Sequence, residues 1–235
     1  VIHLFLMLRL QIFEVKQKRY VISNQNIFEY AVSHSTPPDD VLQELIHETR
    51  ESTGRAAGMQ IGADQGAFMT ILSGLLRPKF AVEVGTFTGY SSICIARGLA
   101  PEGKLLCCDV SEEWTDVARR YWSKADLSDR IDLILAPGVE TLKNLPSEES
   151  IDLAFIDADK EGYVSYYEEI VPRLSQQGVL LADNTLWSGR VVPDSGFDDE
   201  NTMALRAFND HVVADSRVAV SQLTIGDGLT VITKA

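Results

Sequence analysis

From residue 78 onward, short and almost wholly apolar runs alternate with segments whose apolar residues recur every three to four positions. The runs KFAVEVG (79–85), KLLCCDV (104–110), RIDLILAP (130–137), IDLAFIDA (151–158) and GVLLADN (178–184) read as strands. Runs with no polar face suit strands covered on both sides of a parallel sheet. Between and after them, SSICIARGLA (91–100), EEWTDVARRYWSKA (112–125), VETLKNL (139–145), YVSYYEEIVPRL (163–174) and ENTMALRAFNDHVVAD (200–215) predict helices. RVAVSQLTI and LTVITKA flank a tight GDG turn, which makes the last strand antiparallel to its neighbour. Upstream, DDVLQELIHETRE (39–51) and ADQGAFMTILSGLL (63–76) carry helical spacing. The expected fold is α/β: a doubly wound, mostly parallel seven-stranded sheet with an antiparallel last strand and an N-terminal helical layer. Residues 24–235 read as one domain, with 24–77 its helical layer and 78–235 its α/β core; residues 1–23 are set apart as an extension.

Composition narrows the partners. The 235 residues carry a formal net charge of −13. Nucleic acids and anionic membrane surfaces bind through lysine and arginine, so neither is expected as a partner. Three cysteines without a CxxC spacing, Cys94, Cys107 and Cys108, suggest reduced, buried thiols and a cytoplasmic setting. The apolar start VIHLFLML lacks a basic segment before it and a small-residue cleavage site, so no signal peptide is expected. No later run reaches the roughly 20 apolar residues of a membrane-spanning helix.

In doubly wound sheets, ligands sit beyond the carboxyl ends of the strands. There the first strand turns into its helix through EVGTFTGYSS (83–92). A dinucleotide site wants G-x-G-x-x-G, yet the middle glycine position holds Phe87. Gly85 and Gly89 form G-x-x-x-G instead. Glu83 would repel a phosphate and could help hold an ammonium group. The ligand this suggests is a nucleoside carrying an amino acid, and S-adenosylmethionine fits. Asp109, at the next strand end, could accept hydrogen bonds from ribose hydroxyls. The plainer alternative is that the glycines only close a turn.

The run IDLAFI ends in Asp157, Asp159 and Lys160, and GVLLA ends in Asp183 and Asn184. The strands before Asp157 and Asp183 are expected to be neighbours, about 4.8 Å apart. Asp157, Asp183 and Asn184 would then meet as hard oxygen donors, suited to Mg²⁺, with Mn²⁺ or Ca²⁺ possible, and not to zinc. The alternative is that Asp183 and Asn184 cap the following turn. None of the four histidines has helpful spacing. His47 and His211 read as surface or packing residues, as do Trp114 and Trp122.

Taken in order, VEVGTFTGYSS, FIDADK, LLADNTLWSGRVV and GDGLTV resemble the cation-dependent O-methyltransferases of the caffeoyl-CoA type. Catechol O-methyltransferase is a more distant relative. The resemblance spans roughly residues 24–235. It implies the class I S-adenosylmethionine-dependent methyltransferase fold and a homodimer. It makes Asp157, Asp183 and Asn184 the metal ligands. It makes Ile61, Glu83, Gly85, Thr86, Ser91, Asp109, Gly138 and Asp159 the cofactor contacts. Lys160 matches the lysine proposed as general base in the catechol enzymes. Where the plant enzymes carry an asparagine, this chain has Ser188, and their N-terminal lysine for the acyl-CoA acceptor has no counterpart. Both departures count against an acyl-CoA acceptor, and the bacterial members look closer.

The implied activity is S-adenosylmethionine- and cation-dependent O-methylation of a small, catechol-like aromatic. The metal would orient and acidify the acceptor hydroxyl, with Asp157 among its ligands and Lys160 taking the proton. The bland reading of Lys160 is a salt-bridging lysine. Trp187, Tyr163, Tyr166 and Phe197 could shape the acceptor pocket or simply pack the core. The loop at 187–200 could act as a lid, with Arg190 facing an acidic acceptor. The rival classes are a metal-independent small-molecule methyltransferase, a nicotinamide oxidoreductase and a catalytically silent cofactor-binding protein.

Overall fold

The structure is a computed structural model that describes residues 25–148 and 150–235. The extension at 1–23 lies outside the described residues. Contacts divide the chain into Val1–His34 and Ser35–Ala235. Within the first unit the described part is helix α1 (Gln25–Ser33), where the Tyr30 ring stacks on His34 at 3.9 Å.

The second unit holds α2 (Asp40–Thr53), α3 (Ala63–Leu76), β1 (Phe80–Val84), α4 (Tyr90–Ala96), β2 (Lys104–Asp109), α5 (Glu112–Lys124), β3 (Ile131–Leu135), α6 (Gly138–Lys143), β4 (Ile151–Ile156), α7 (Tyr163–Ile170), β5 (Leu174–Ala182), α8 (Glu200–Ala214), β6 (Val218–Leu223) and β7 (Leu229–Lys234). The seven strands form one sheet in the order β3-β2-β1-β4-β5-β7-β6. All pairs are parallel except those that β7 makes with β5 and β6. The order reverses beside β1, so the ends of β1, β2, β4 and β5 border one crevice.

Strand periodicity distributes the core. Ala81, Leu105, Cys107, Leu153, Phe155 and Leu181 face one side and pack with Met69, Ile93 and Trp122. Val82, Val84, Ala154, Ile156, Leu180 and Ala182 face the other, against Tyr163, Tyr167, Ile170, Leu205 and Phe208. All three cysteines are free and buried. Asp152 staples the far end of the sheet: Oδ2 accepts from the Lys79 amide at 2.8 Å, and Oδ1 from Ser175 Oγ at 2.8 Å.

Two stretches depart most from the sequence reading: α4 ends at Ala96 rather than 100, and the junction of α7 and β5 is shifted. Helix α7 ends at Ile170, four residues short of the expected 174, and β5 begins at Leu174 rather than 178. Pro172 has no amide hydrogen to continue the α-helix, so Val171–Arg173 tightens into a 3₁₀ turn. Leu174 then pairs with Ile151, and the ladder shifts register before Val179 meets Leu153. The later β5 pairing lets Asp183 leave the sheet beside Asp157.

Gly85 fixes the crevice wall. It has φ +91, and a Cβ built there would fall 1.9 Å from the Asp157 carbonyl oxygen. The β1 turn and the end of β4 can approach this closely only with glycine. Gly85→Ala combines backbone strain with overpacking, at a cost on the order of 2–5 kcal/mol. The expected result is a clear drop in the urea unfolding midpoint; an unchanged midpoint would contradict this contact.

Candidate active site

The glycine turn is held by Asp109. Its Oδ2 accepts from the amides of Thr86 at 2.9 Å and Phe87 at 2.8 Å, and its Oδ1 from Ser111 at 2.8 Å. Phe87 takes a left-handed backbone, φ +50, and turns its ring edge-on to Trp114 at 5.0 Å. Asp109 therefore organises the loop, a role the sequence reading did not assign. Trp122 is a buried anchor, donating from Nε1 to Ser92 Oγ at 2.8 Å.

Glu83 lies wholly inside the protein, with Cys107 Sγ donating to Oε2 at 3.2 Å. Burial pushes its carboxyl up to about 8, while Ser91, Cys107 and Thr86 beside it pull the other way. The sequence suggested an ordinary carboxylate here; burial instead favours its protonated form at neutral pH. Ile61 and Gly138 stand on opposite flanks. Ile61 belongs to the core on the α3 side, and Gly138 opens α6 against Val84 and Tyr166. Asp159 accepts from the Gly162 amide at 3.0 Å and from the Tyr166 hydroxyl.

The neighbouring ends of β4 and β5 bring the acidic residues together. Ile156 pairs with Ala182, so Asp157 and Asp183 leave adjacent strands at the same level. Lys160 returns from the following turn into this group. Its Nζ donates to Asp157 Oδ1 at 3.2 Å, Asn184 Oδ1 at 2.6 Å and the Tyr163 hydroxyl at 2.7 Å. The Tyr163 hydroxyl in turn donates to the Asp183 carbonyl at 3.2 Å. Burial raises Asp157 above the usual carboxylate range, with Lys160 opposing, and raises Asp183 to about 7, helped by the Asp157 charge. Tyr163 is pushed well above the usual phenol range by burial and by Asp157 and Asp183, so it stays a neutral anchor. It is fully buried and does not line a pocket, as the sequence had allowed.

The turn that carries the third oxygen donor is also fixed. Asp183 Oδ1 accepts from the Asn184 amide at 2.7 Å, so Asp183 does cap its own turn. Asn184 adopts φ +54, a conformation asparagine tolerates. The GDG turn pins the segment beyond it: the amides of Thr185 and Leu186 donate to Gly228 and Asp227 carbonyls at 2.9 and 3.1 Å. Ser188 N donates to the Asp227 side chain. A Cβ on Gly228 would meet the Leu186 amide at 2.4 Å. The sequence reading gave GDG a hairpin turn and a place among the family-like motifs, but no role in holding this segment.

Buried polar atoms are normally paired. Among the described residues, those left unpaired are Gln60 Oε1, Asp64 Oδ1, Gln65 Nε2, Glu83 Oε1, Thr86 Oγ1, Thr141 Oγ1 and Trp187 Nε1. Glu83 and Thr86 belong to β1 and the turn after it, and Trp187 follows the Asp183–Asn184 turn. No group of three or more His, Cys, Asp and Glu positioned for a metal occurs among the described residues. The candidate set is two carboxylates and an amide oxygen.

A doubly wound sheet with a glycine turn after β1, an acid after β2 and a polar cluster after β4 and β5 defines an α/β enzyme that works on small ligands. The chain belongs to the O-methyltransferase family, whose profile matches residues 32–235. It is 39% identical over 214 residues to "Probable caffeoyl-CoA O-methyltransferase 2" of Dictyostelium discoideum, covering 90% of this chain and 92% of that one. Its fold is similar to SAH-bound methyltransferase PaMTH1 of Podospora anserina, with TM-score 0.81 and 28% identity over 92% of this chain and 98% of that one. It is also similar to the O-methyltransferase of Bacillus cereus in complex with SAH, with TM-score 0.80 and 27% identity over 89% and 97%. No helix among the described residues is long and apolar enough to cross a membrane.

Glu83 gives this site a pH signature. The folded chain binds the Glu83 proton more tightly than the unfolded chain does. The resulting stability is complete at low pH and is lost as pH rises toward about 8. Glu83→Gln removes that loss. Its stability relative to wild type, read from urea unfolding, is expected to improve between about pH 5 and about pH 9. A difference independent of pH would show that Glu83 titrates normally.

Proposed function

We propose that this O-methyltransferase uses S-adenosylmethionine and a divalent cation to methylate one hydroxyl of a small aromatic with two adjacent hydroxyls. The observation that carries the proposal is the convergence of Asp157 Oδ1 and Asn184 Oδ1 on one cationic centre, the Lys160 ammonium. Those oxygens already surround a positive charge, and the Asp183 carboxyl beside them is raised by burial and by Asp157. Two crowded carboxylates and an amide fit Mg²⁺ first, then Mn²⁺ or Ca²⁺.

Asp157, Asp183 and Asn184 would hold the cation, which when bound supplies charge that acidifies and orients the acceptor hydroxyls. Glu83, Gly85, Thr86, Ser91 and Asp109 would seat S-adenosylmethionine, with Ile61 and Gly138 on its flanks and Asp159 toward its amino group. Burial leaves Glu83 ready to give up its proton to solvent as the ligand's ammonium docks. With a cation held by the same oxygens, Lys160 would release a proton to solvent, and its free amine, positioned by Tyr163, would take the acceptor's hydroxyl proton. These residues would hold the acceptor oxygen in line with the sulfonium methyl, so that the O–C bond forms as the C–S bond breaks and S-adenosylhomocysteine leaves; much of the rate would come from that alignment. Trp187, whose ring lies 5.8 Å from Lys160 Nζ, walls the acceptor side. Three free, buried cysteines suit a cytoplasmic setting for this reading, with a homodimer as its assembly.

The test is methyl transfer to a panel of catechols, with and without chelator. Wild type is expected to lose turnover in EDTA. Asp157→Ala is expected to lose about 10³-fold or more in kcat while keeping its circular dichroism spectrum. Lys160→Gln is expected to lose about 10²–10⁴-fold. Chelator-insensitive turnover, or an active Asp157→Ala, would contradict the cation reading and favour a metal-independent methyltransferase.

A further inference from the structure

Beyond Asn184 the chain forms a built loop. Trp187 and Ser188 have φ +46 and +51, and Asp194 +63. Arg206 of α8 pins this loop from beneath. Its Nη2 donates to the Arg190 carbonyl at 2.9 Å and to Ser195 Oγ at 3.0 Å, its Nε donates to the Val191 carbonyl at 3.2 Å, and its Nη1 pairs with Asp198 at 2.7 Å. Asn209 Nδ2 adds a bond to the Thr185 carbonyl at 2.8 Å.

On this platform the Arg190 side chain is half-buried and differently placed. Its guanidinium carbon sits 4.8 Å from the Phe197 ring centre and 6.0 Å from that of Trp187. No hydrogen bond or ion pair engages its nitrogens among the described residues. Asp199 feels its charge, but the Asp199 carboxylate is occupied in capping α8 through Thr202. Stacking uses the faces of the guanidinium and leaves its N–H edge free. A partly desolvated guanidinium without an acceptor is costly, and a planar carboxylate satisfies it with two parallel bonds. This also gives Phe197 a reason to be apolar and 46% exposed.

The Trp187 ring links this group to the site. Lys160 Nζ lies 5.8 Å from the ring and Arg190 Cζ 6.0 Å, so the two cations are separated by no more than the sum of those distances. That upper limit leaves room for one aromatic ring with a short side chain between them. Trp187 Nε1 is itself buried and has no partner among the described residues. The two site aspartates would otherwise repel an anionic acceptor.

We infer that Arg190, stacked between Trp187 and Phe197, is a specificity residue that binds a carboxylate on the methyl acceptor, so that the preferred acceptor is a free dihydroxyaryl acid. The inference rests on the O-methylation reading above and names its substrate class. An acyl-CoA acceptor is also anionic, but its phosphates lie far along the pantetheine arm, and its thioester removes the carboxylate next to the ring.

The experiment compares kcat/KM for 3,4-dihydroxycinnamate, its methyl ester and its CoA thioester, in wild type and Arg190→Gln, with S-adenosylmethionine and Mg²⁺. Wild type is expected to favour the free acid over the ester by about tenfold or more. In Arg190→Gln that ratio is expected to fall to about one, with Arg190→Lys recovering part of it. Calorimetric binding of the acid to the wild-type protein with S-adenosylhomocysteine is expected to weaken in Arg190→Gln by a similar factor. An acid-to-ester ratio near one in wild type, a ratio unmoved by Arg190→Gln, or a thioester preference lost in that variant would each overturn the carboxylate assignment while sparing the methyltransferase reading. No methyl transfer to any of the three acceptors would overturn that reading, and the inference with it.

Discussion

Two carboxylates placed on adjacent strand ends, both largely out of water, repel each other and resist ionisation. Asp157 and Asp183 are in this position because β4 and β5 are neighbours in register. Everything nearby answers that constraint. Lys160 bends back to place its ammonium between Asp157 and Asn184, and Tyr163 holds the ammonium from below. Even so, burial and mutual repulsion keep the Asp183 carboxyl raised to about 7. A cluster in this state gains most from a compact divalent charge, which gives the cation reading its physical basis.

The cofactor side follows the same logic on a neutral footing. Glu83 is buried with one oxygen unpaired, Asp109 spends its carboxylate on the loop amides, and Gly85 lets the β1 turn touch the end of β4. That contact couples the two halves: the loop that would seat the cofactor rests on the backbone of Asp157. A change that lifts one half disturbs the other, so binding of cofactor and of cation should be linked.

Much of this was legible in the sequence. The fully apolar runs identified the buried strands, and the residues that follow them meet at one edge because a parallel sheet delivers them there. The parts that were not legible depend on tertiary contact. Nothing in YVSYY distinguishes the buried Tyr163 from a pocket residue until Lys160 is seen resting on it. The burial of Glu83 depends on Cys107 and on the residues across the sheet. The GDG turn read as a hairpin, but its second role, clamping the segment after Asn184, depends on β7 lying beside β5. The early start of β5 was hidden by Pro172, which breaks the helix without interrupting its apolar pattern.

The most direct measurement of the central claim is Mn²⁺ binding followed by electron paramagnetic resonance, with S-adenosylhomocysteine present. The account predicts a single bound Mn²⁺ per chain, displaced by Mg²⁺, with affinity at least about tenfold weaker in Asp183→Asn. Absence of stoichiometric binding, or binding that ignores the substitution, would contradict it.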